Sequence, residues 1–568
     1  MILSDEITTA NIADHLKQRL NGTFRWPLLQ ELLSRLESAG NNTKEIVAIN
    51  KWFKEELERL VGSEKEDEDS RKVSVAQSLL DLVAMKSNFT TNSEEEIFIH
   101  TAQYVKDEVF QIKKGCEIEN KSTFSFDLAV TVPYYKCHNA SAALVDEAIN
   151  DKILRFANLF KEFCNSKGLQ CEFKPLRTDS ETDVTVYGRI GAEGESGIDI
   201  LNVTLQGSTT NDFGVRAQIE NLHQIEELCL FPGQMVGFSP SNKSSQAAVT
   251  GRCFEDNFGV RYVTSNIRCG IPVDEPVTTL AAQNKFKNEN IHISVIRGAL
   301  LTENLEQTNF QYVFHKLKRD KPHVVFFMGP FVSVNQMAVE GYGISRLGDL
   351  TFLYSKFLKD LSNVAQFGPM SNTKFVIVPH CYDVLLSYPL PQPPLNCASS
   401  PLYKKEFPEN IIFLSNPGTI SINGILFGVT SCDVISGIEK NMVCKPKEDS
   451  VRLICQQLLQ QRSLFPSYPA SKLPAEYAVD HSMLRQLEFS NETIPDIVLF
   501  SSSAKSEPFV EFTNHRAFIS CHNVMVPKNQ TVQSVTEIYV TPQTDVGGLI
   551  VPMDIDKRVS LAVSILQE

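Results

Sequence analysis

The stretches IHISVIRG (291–298), HVVFFMGPF (323–331) and KFVIVPH (374–380) decide the fold of the larger part of this chain. Each is a continuous apolar run, which is typical of a strand buried on both faces of a sheet. Helical patterns lie between them, in NFQYVFHKLKRDK (309–321) and ISRLGDLTFLYSKFLKDLSNV (344–364). Buried strands separated by helices predict an α/β domain built on a central sheet.

A different pattern precedes this domain, where short runs alternate between apolar and polar residues. The strand-like runs are DVTVYGRI (183–190), GIDILNVTLQG (197–207), FGVRAQIEN (213–221), QMVGFSP (234–240) and AAVTGRCFED (247–256). Turn residues separate them at intervals of roughly ten residues, which favours a small barrel or sandwich. A five-stranded Greek-key barrel of the oligonucleotide-binding (OB) type is the best match. One helical pattern, over 146–168, precedes the clearest of these strands.

The beginning of the chain is helical in pattern. Leu28, Leu32 and Leu36 recur every four residues, as one face of a helix requires. We therefore predict an α+β multidomain architecture of four segments. They are an N-terminal helical module (1–86), a linker (87–115), an OB-fold domain (116–285) and an α/β domain (286–568).

Composition narrows the classes of function. The 568 residues carry a formal net charge of −14, which argues against autonomous binding of duplex DNA and favours protein partners. The 13 cysteines are scattered without a Cys-x-x-Cys pair, as expected of reduced, mostly buried thiols. The first residues show no secretory signal pattern, and no apolar run approaches the roughly 20 residues of a membrane helix. We expect a reducing compartment, cytosol or nucleus, and no membrane association.

Chemistry in an α/β domain is expected at the carboxyl ends of the strands. A di-metal phosphoesterase places carboxylates and imidazoles there, in Asp-x-His, Gly-Asp, Gly-Asn-His and Gly-His-x-His patterns, to hold two cations. Here Arg297 and Gly298 follow the first strand, and Gly329 is followed by Pro330 where the pattern has aspartate.

The remaining candidates at this edge are few. His380 and Asp383 follow the third strand, and His522, within Cys521-His522-Asn523, is the nearest match to the last histidine pattern. We interpret Gly329, Pro330, His380, Asp383 and His522 as the edge of a degenerate former metal site. Phosphate-binding, nucleophile-elbow and zinc-protease motifs are absent from the sequence. We therefore predict no catalytic residue, no bound metal and no cofactor.

Several longer strings, in the same order along the chain, resemble the B-subunit family of DNA polymerase alpha. They are LFPGQMV (230–236), MGPFVSVNQ (328–336), VPHCYDV (378–384), YPLPQPP (388–394), SNPGTISINGILFGVTSCDV (415–434) and QQRSLFPSYP (460–469). Each is short, but the ordered set is specific.

The resemblance implies an inactive calcineurin-like phosphoesterase domain packed on the OB-fold barrel. It implies a non-catalytic scaffold that binds the zinc-bearing C-terminal region of the catalytic polymerase subunit. Primase subunits would join through that complex, which makes RNA–DNA primers in the nucleus at the initiation of replication. Replication factors would bind the N-terminal module, and DNA would bind at most weakly.

Three alternatives stay open at this stage. The chain could be the B subunit of polymerase delta or epsilon, which share this domain plan. It could be an active metallophosphoesterase, although Pro330 and the missing Asp-x-His argue against that. It could be a single-strand binding protein that stacks bases on barrel aromatics. The barrel strands carry Tyr187, Phe213 and Phe238, which we expect in the core, and few basic residues besides Arg189, Arg216 and Arg252.

Overall fold

The structure is a computed structural model. It describes a two-residue strand at 96–97 and most of the chain from 126 to 565. The longer gaps fall at 136–140, 177–183, 193–197, 239–251, 264–267, 279–289, 301–309, 335–346, 469–476 and 542–550, with shorter gaps elsewhere. The predicted N-terminal helical module lies outside the described residues. Glu96–Met525 and Thr531–Glu568 belong to one compact unit.

The described secondary structure is mostly strand. The first ten strands are β1 (Glu96–Ile97), β2 (Phe126–Val130), β3 (Val186–Ala192), β4 (Val203–Gln206), β5 (Arg216–Glu220), β6 (Leu228–Leu230), β7 (Met235–Phe238), β8 (Arg252–Asp256), β9 (Gly259–Val263) and β10 (Val277–Thr278). The next are β11 (Ile291–Arg297), β12 (Val324–Met328), β13 (Lys374–Val378), β14 (Ile411–Phe413), β15 (Gly418–Ile422), β16 (Ile425–Val429), β17 (Val443–Lys445) and β18 (Ile497–Phe500). The last are β19 (Phe509–Thr513), β20 (Arg516–Ser520), β21 (Val524–Val526), β22 (Gln530–Val532), β23 (Ser534–Val540), β24 (Val551–Pro552) and β25 (Val559–Ile565).

The helices are fewer and lie between the strands of the sheets. They are α1 (Ala142–Ser166), α2 (Gln311–Asp320), α3 (Leu347–Gln366), α4 (Ser436–Glu439), α5 (Ser450–Gln460) and α6 (Ile555–Arg558). Short 3₁₀ helices occupy Leu222–Gln224, Val384–Leu386 and His481–Leu487. None of the described helices is long and apolar enough to cross a membrane.

The predicted barrel is a six-stranded sheet in the order β7-β3-β4-β5-β9-β8, with β5 and β9 parallel and the other pairs antiparallel. Gly237 in β7 and Arg268, just after β9, donate their N–H groups to each other's carbonyl oxygens at 2.9 and 2.8 Å. The chain that follows β9 thus returns to the edge strand β7 at this bridge. Buried apolar residues such as Ile190, Leu205 and Ile219 fill the interior of the barrel.

The predicted α/β domain contains two stacked sheets. A seven-stranded sheet runs β1-β25-β23-β11-β12-β13-β14, and a six-stranded sheet runs β19-β20-β18-β16-β15-β2. Strands β11, β12 and β13, which correspond to three predicted apolar runs, are parallel to one another and to β14, and every residue of β12 is buried. Side chains from both sheets, among them Phe326 and Phe427, form one apolar core. Burial on both faces explains why these strands read as continuous apolar runs.

Helices cover the outer faces of the two sheets. Tyr354, Phe357, Leu358 and Leu361 of α3 share one face of that helix and pack with α2 in a second apolar core, together with Phe327 of β12. On the other side, α4 and α5 pack in a third core with residues of the six-stranded sheet. The result is a four-layer helix–sheet–sheet–helix sandwich.

Besides β6, which pairs with β17, three strands outside the predicted α/β segment pair with strands of the sandwich region. Phe126–Val130, within the predicted barrel segment, pairs with β15, and Glu96–Ile97, within the predicted linker, pairs with β25. Val277–Thr278 pairs with β24. These partners are hundreds of residues away along the chain, so local alternation of apolar residues carries no signal for them.

Asp496, between β16 and β18, makes the stability of the domain depend on pH. Burial raises the pKa of its carboxyl from 3.8 to about 6, although the Leu426 N–H and the charges of Arg516 and Arg558 oppose the shift. Because protonation favours the folded state, this contribution is present below about pH 4 and lost as pH rises through about 6.

We expect the free energy of unfolding to fall between these pH values by up to about 3 kcal/mol relative to Asp496→Asn. The asparagine oxygen still accepts the Leu426 N–H, 2.9 Å away in the wild type. Denaturant titrations at several pH values measure the difference between the two proteins. Burial lowers the pKa of His481 to about 4, so this residue changes the stability with pH in the opposite direction. Its contribution is the same in both proteins and cancels when their free energies of unfolding are subtracted. A free energy of unfolding that changes with pH in the same way in both proteins would contradict the expectation.

Candidate functional site

The carboxyl ends of strands from both sheets meet at one edge of the sandwich, which we call the strand-end edge. Arg297, at the end of β11, donates from Nη1 to Ser501 Oγ, just after β18. Ser431, after β16, donates its hydroxyl to the carbonyl of Pro379, after β13, at 2.7 Å. The ends of the two sheets are therefore tied to each other by protein contacts.

Asp383 is the fully buried carboxylate of this edge. Its Oδ1 accepts the Phe331 N–H at 2.5 Å and the Tyr354 hydroxyl at 3.0 Å, and its Oδ2 accepts the His380 N–H at 2.8 Å. The Val332 N–H lies 3.3 Å from Oδ1. Burial raises the pKa of the Asp383 carboxyl, although these hydrogen bonds oppose the shift. The carboxylate thus joins the loops after β12 and β13, and both of its oxygens accept hydrogen bonds from the protein.

Gly329, which precedes Pro330, lies against the same carboxylate. A Cβ added to Gly329 would lie 2.6 Å from Asp383 Oδ2 and 3.0 Å from His380 Cβ, so the loop leaves no space for a larger residue. The structure therefore brings Gly329, His380 and Asp383 together, as the sequence predicted. His522 lies outside the described residues, and its place at this edge stays a prediction.

Two cysteines outside the predicted site lie beside His380. Cys381 Sγ is 3.9 Å from both His380 Nδ1 and Cys432 Sγ, and all three side chains are buried. We call His380, Cys381 and Cys432 the His-Cys-Cys cluster. Cys432 is 51 residues from Cys381 and follows β16, so no local spacing could have revealed the pair.

The two thiols of the cluster have opposite pKa shifts. The hydrogen bond with Cys432, together with burial, raises the pKa of Cys381. Burial alone would raise the pKa of Cys432, but hydrogen bonds from Cys381, His380 and Asn416 outweigh it and leave this pKa well below its usual value. The two sulfurs therefore share a hydrogen bond within a buried cluster at the strand-end edge.

The second candidate site is the junction between the barrel and the sandwich. Strand β6 of the barrel segment pairs antiparallel with β17, which follows α4. Gln461 Oε1 accepts the Met235 N–H at 2.7 Å, and Gln461 Nε2 donates to the Met235 carbonyl at 2.8 Å. Gln234 Nε2 donates to Gln457 Oε1 at 2.8 Å. Two buried glutamines of the sandwich thus bind the backbone and side chains of the barrel.

Gly233 fits closely into the same junction. It has φ +92°, and an added Cβ would lie 2.1 Å from the Tyr468 backbone nitrogen. That nitrogen donates to the Pro232 carbonyl at 3.0 Å, and the Arg189 guanidinium lies 4.5 Å from the centre of the Tyr468 ring. The strings LFPGQMV and QQRSLFPSYP, which carry much of the family resemblance, therefore contact each other across the junction.

Helix α1 extends the junction. Ser141 caps it by accepting the Leu144 N–H, and Arg155 Nη2 lies 2.8 Å from Glu488 Oε2 at the end of a 3₁₀ helix of the sandwich. Phe156 and Phe160 of the same helix stack at 5.8 Å within the apolar core that α4 and α5 also join. The barrel and the sandwich therefore share one core rather than meeting through a flexible linker.

Gln461→Ala tests the junction at one side chain. We expect it to lower the free energy of unfolding by about 2 kcal/mol, because the Met235 N–H and carbonyl would stay buried without these partners. Denaturant titration of the full chain measures the loss. Gln218→Ala serves as the control, since Gln218 is a half-exposed barrel residue whose Nε2 bonds the exposed Leu201 carbonyl. Equal effects of the two substitutions would contradict the expectation.

The barrel aromatics follow the core prediction only in part. Phe238 is fully buried and Tyr187 is 9% exposed, as expected. The prediction is wrong for Phe213, because its ring is 82% exposed in the loop that joins β4 and β5. The alternation that suggested a core position breaks there, since Phe213 has φ +54°. Arg189 is occupied at the junction by Tyr468, so it does not form part of an open basic groove.

Comparison with known proteins agrees with this architecture. The family model for the B subunit of DNA polymerase alpha/epsilon matches residues 293–511, within the sandwich. The model for the OB domain of the DNA polymerase alpha B subunit matches residues 146–256, from within α1 to the end of β8. The prediction of an OB-fold domain is thereby confirmed.

Curated relatives of the chain are B subunits of DNA polymerase alpha as well. The DNA polymerase alpha B subunit of Bos taurus is 25% identical over 312 residues, which are 54% of this chain and 47% of that protein. The Schizosaccharomyces pombe protein of the same name is 24% identical over 405 residues, 67% of this chain and 64% of that protein. The chain spans about half the length of the mammalian relatives it matches. Both family models and these relatives show that the chain is similar to the B subunits of DNA polymerase alpha.

Proposed function

We propose that this chain is a non-catalytic scaffold subunit of a DNA polymerase alpha–primase complex. It binds the zinc-bearing C-terminal region of the catalytic polymerase subunit and supports RNA–DNA primer synthesis in the nucleus. The observation that carries the proposal is the junction, where strings typical of the family lock the barrel and the sandwich into one unit. A rigid two-domain surface suits a partner that must contact both domains at once.

The proposal includes an inactive, calcineurin-like phosphoesterase domain. It is supported by Arg297 at the end of β11, by Pro330 where aspartate is needed, and by the engagement of both Asp383 oxygens. Hydrolysis by two metals needs several carboxylate and imidazole ligands around an open position. At the described part of the strand-end edge the carboxylate instead holds two loops together.

A phosphodiesterase assay tests this part of the proposal. We expect the purified full chain, supplied with Mn²⁺ and an activated phosphodiester, to give no turnover above a protein-free control. A rate that Asp383→Ala abolished in a still-folded protein would establish the alternative of an active metallophosphoesterase. The assay leaves partner binding untouched, so the two parts of the proposal can fail separately.

Reconstitution tests the choice of partner. We expect the full chain, co-expressed with the C-terminal region of a polymerase alpha catalytic subunit, to co-elute with it in size-exclusion chromatography. The corresponding regions of the delta and epsilon catalytic subunits are the matched controls, because the sequence left the B subunits of those polymerases as the main alternative. Preferential co-elution with delta or epsilon would overturn the assignment.

Exposed apolar side chains give the proposed partner candidate contact points. Phe213 and Leu201 of the barrel are 82% and 78% exposed, and Phe352 and Phe367, on and just after α3, are 65% and 68% exposed. Aromatic residues are enriched at protein interfaces, so Phe213, Phe352 and Phe367 are the positions at which to test partner binding first. Primase would join through the catalytic subunit, and replication factors would bind the N-terminal module. The net charge of −14 supports weak DNA binding at most.

A further inference from the structure

We propose that the His-Cys-Cys cluster at the strand-end edge is a binding site for one zinc ion, held by His380, Cys381 and Cys432. Their ligand atoms all lie within 4.8 Å of one another, and all three residues are buried. The prediction of no metal considered the positions of the di-metal pattern and metal-binding motifs with short, local spacing. It therefore missed Cys432, which the fold brings from a different sheet.

The spacing of the atoms suits zinc. Cys381 Sγ is 3.9 Å from Cys432 Sγ and 3.9 Å from His380 Nδ1. The third pair of ligand atoms lies within 4.8 Å, so a point equidistant from the three atoms lies at most roughly 2.5 Å from each, near the Zn–S distance in proteins. Two thiolates and an imidazole are a soft ligand set that favours Zn²⁺ over Mg²⁺ or Mn²⁺. The site thus differs in kind from the carboxylate-rich centre of a di-metal phosphoesterase.

The histidine has the tautomer that a ligand at Nδ1 needs. The Tyr382 N–H donates to His380 Nδ1 at 3.1 Å, so this nitrogen carries a lone pair and not a proton. Zinc would take that lone pair in exchange for one backbone hydrogen bond. Each of the two cysteines would bind as a thiolate, and its thiol proton would pass to solvent on binding, since only thiolates ligate zinc. No oxidant or reductant is required.

An outer layer of hydrogen bonds fixes the cysteine from the second sheet. Asn416 Nδ2 donates to Cys432 Sγ at 3.6 Å and to Ser431 Oγ at 3.0 Å. The Thr430 hydroxyl donates to Asn416 Oδ1 at 2.7 Å and so orients the amide. Such partners hold metal ligands in place and support the thiolate charge. The site would cross-link the loops after β13 and β16, which stabilises the edge and requires no catalysis.

Metal analysis of the purified full chain tests the site. The protein is produced with zinc in the medium, without a histidine tag, and gel-filtered into metal-free buffer. We expect about one zinc per chain by mass spectrometry, and at least a tenfold loss in Cys432→Ser. Cys397→Ser is the matched control, because Cys397 is also buried but its sulfur contacts Ser399 instead of the cluster. The control should keep its zinc.

Cobalt provides a readout that does not depend on the variants folding. Co²⁺ added to zinc-depleted wild-type chain should give a thiolate-to-cobalt charge-transfer band that one equivalent of Zn²⁺ removes. Wild-type chain that holds no zinc and gives no such band would overturn the proposal. So would equal zinc in Cys432→Ser and wild type. A Cys381–Cys432 disulfide identified by peptide mapping of the metal-free chain would also overturn it.

Discussion

Gly233→Val is expected to open the junction between the barrel and the sandwich. The valine Cβ would lie 2.1 Å from the Tyr468 nitrogen and 2.8 Å from the Pro466 carbonyl oxygen, and the backbone has φ +92°. Both obstacles are backbone atoms, so a rotamer change cannot relieve them. We expect the junction to lose at least about 4 kcal/mol.

Hydrogen exchange measures this loss locally. Amides of β6 and β17, which pair across the junction, should lose about a thousandfold in protection, the equivalent of about 4 kcal/mol. Amides in the centre of the seven-stranded sheet should change much less. Gly168→Ala is the control, because Gly168 has φ +64° with nothing within 4 Å of an added Cβ. It carries the left-handed strain alone, about 1 kcal/mol. Unchanged protection in Gly233→Val would contradict the described junction.

Asp383→Ala is the second substitution with a large expected effect. It removes the acceptor of the Phe331 and His380 N–H groups and of the Tyr354 hydroxyl, all of them buried. Each donor left without a partner costs about 1–3 kcal/mol, and some relaxation is expected, so we predict a total loss near 4 kcal/mol. Denaturant titration of the full chain measures it.

Asp383→Asn separates the structural role from a catalytic one. The amide keeps one oxygen that can accept the Phe331 N–H and the Tyr354 hydroxyl, but its NH₂ group faces the His380 N–H, which is also a donor. We expect the loss for asparagine to fall between wild type and alanine. A structural carboxylate gives this graded series in stability, whereas a dedicated metal ligand would tolerate both substitutions with little loss.

The parallel strands were predictable because burial on both faces leaves a continuous apolar signal, as in β11, β12 and β13. The strings around Gly233 and Tyr468 were visible as a resemblance, but their mutual contact was not. Contact across the junction depends on how two domains pack, and no local pattern of residues encodes that. The same holds for Cys432, which reaches His380 only after the two sheets stack.

At the strand-end edge the sequence predicted which residues meet, but not what they do. Gly329, His380 and Asp383 were expected together because strand ends meet at one edge of a sheet, and the structure places them so. The sequence suggested leftovers of a metal site, whereas Asp383 holds two loops through four donors. Only the geometry of those donors distinguishes a spare carboxylate from a structural one. Phe213 was misplaced because its left-handed backbone interrupts the strand alternation.

Quantitative affinity purification of the chain from its own cells tests the central claim most directly. The tagged full chain, isolated at native expression level, should carry the polymerase alpha catalytic subunit and both primase subunits in near-equal molar amounts by mass spectrometry. Gly233→Val, with its junction opened, should lose them, and Gly168→Ala should keep them. Recovery of the delta or epsilon catalytic subunit instead, or of no polymerase subunit, would contradict the account.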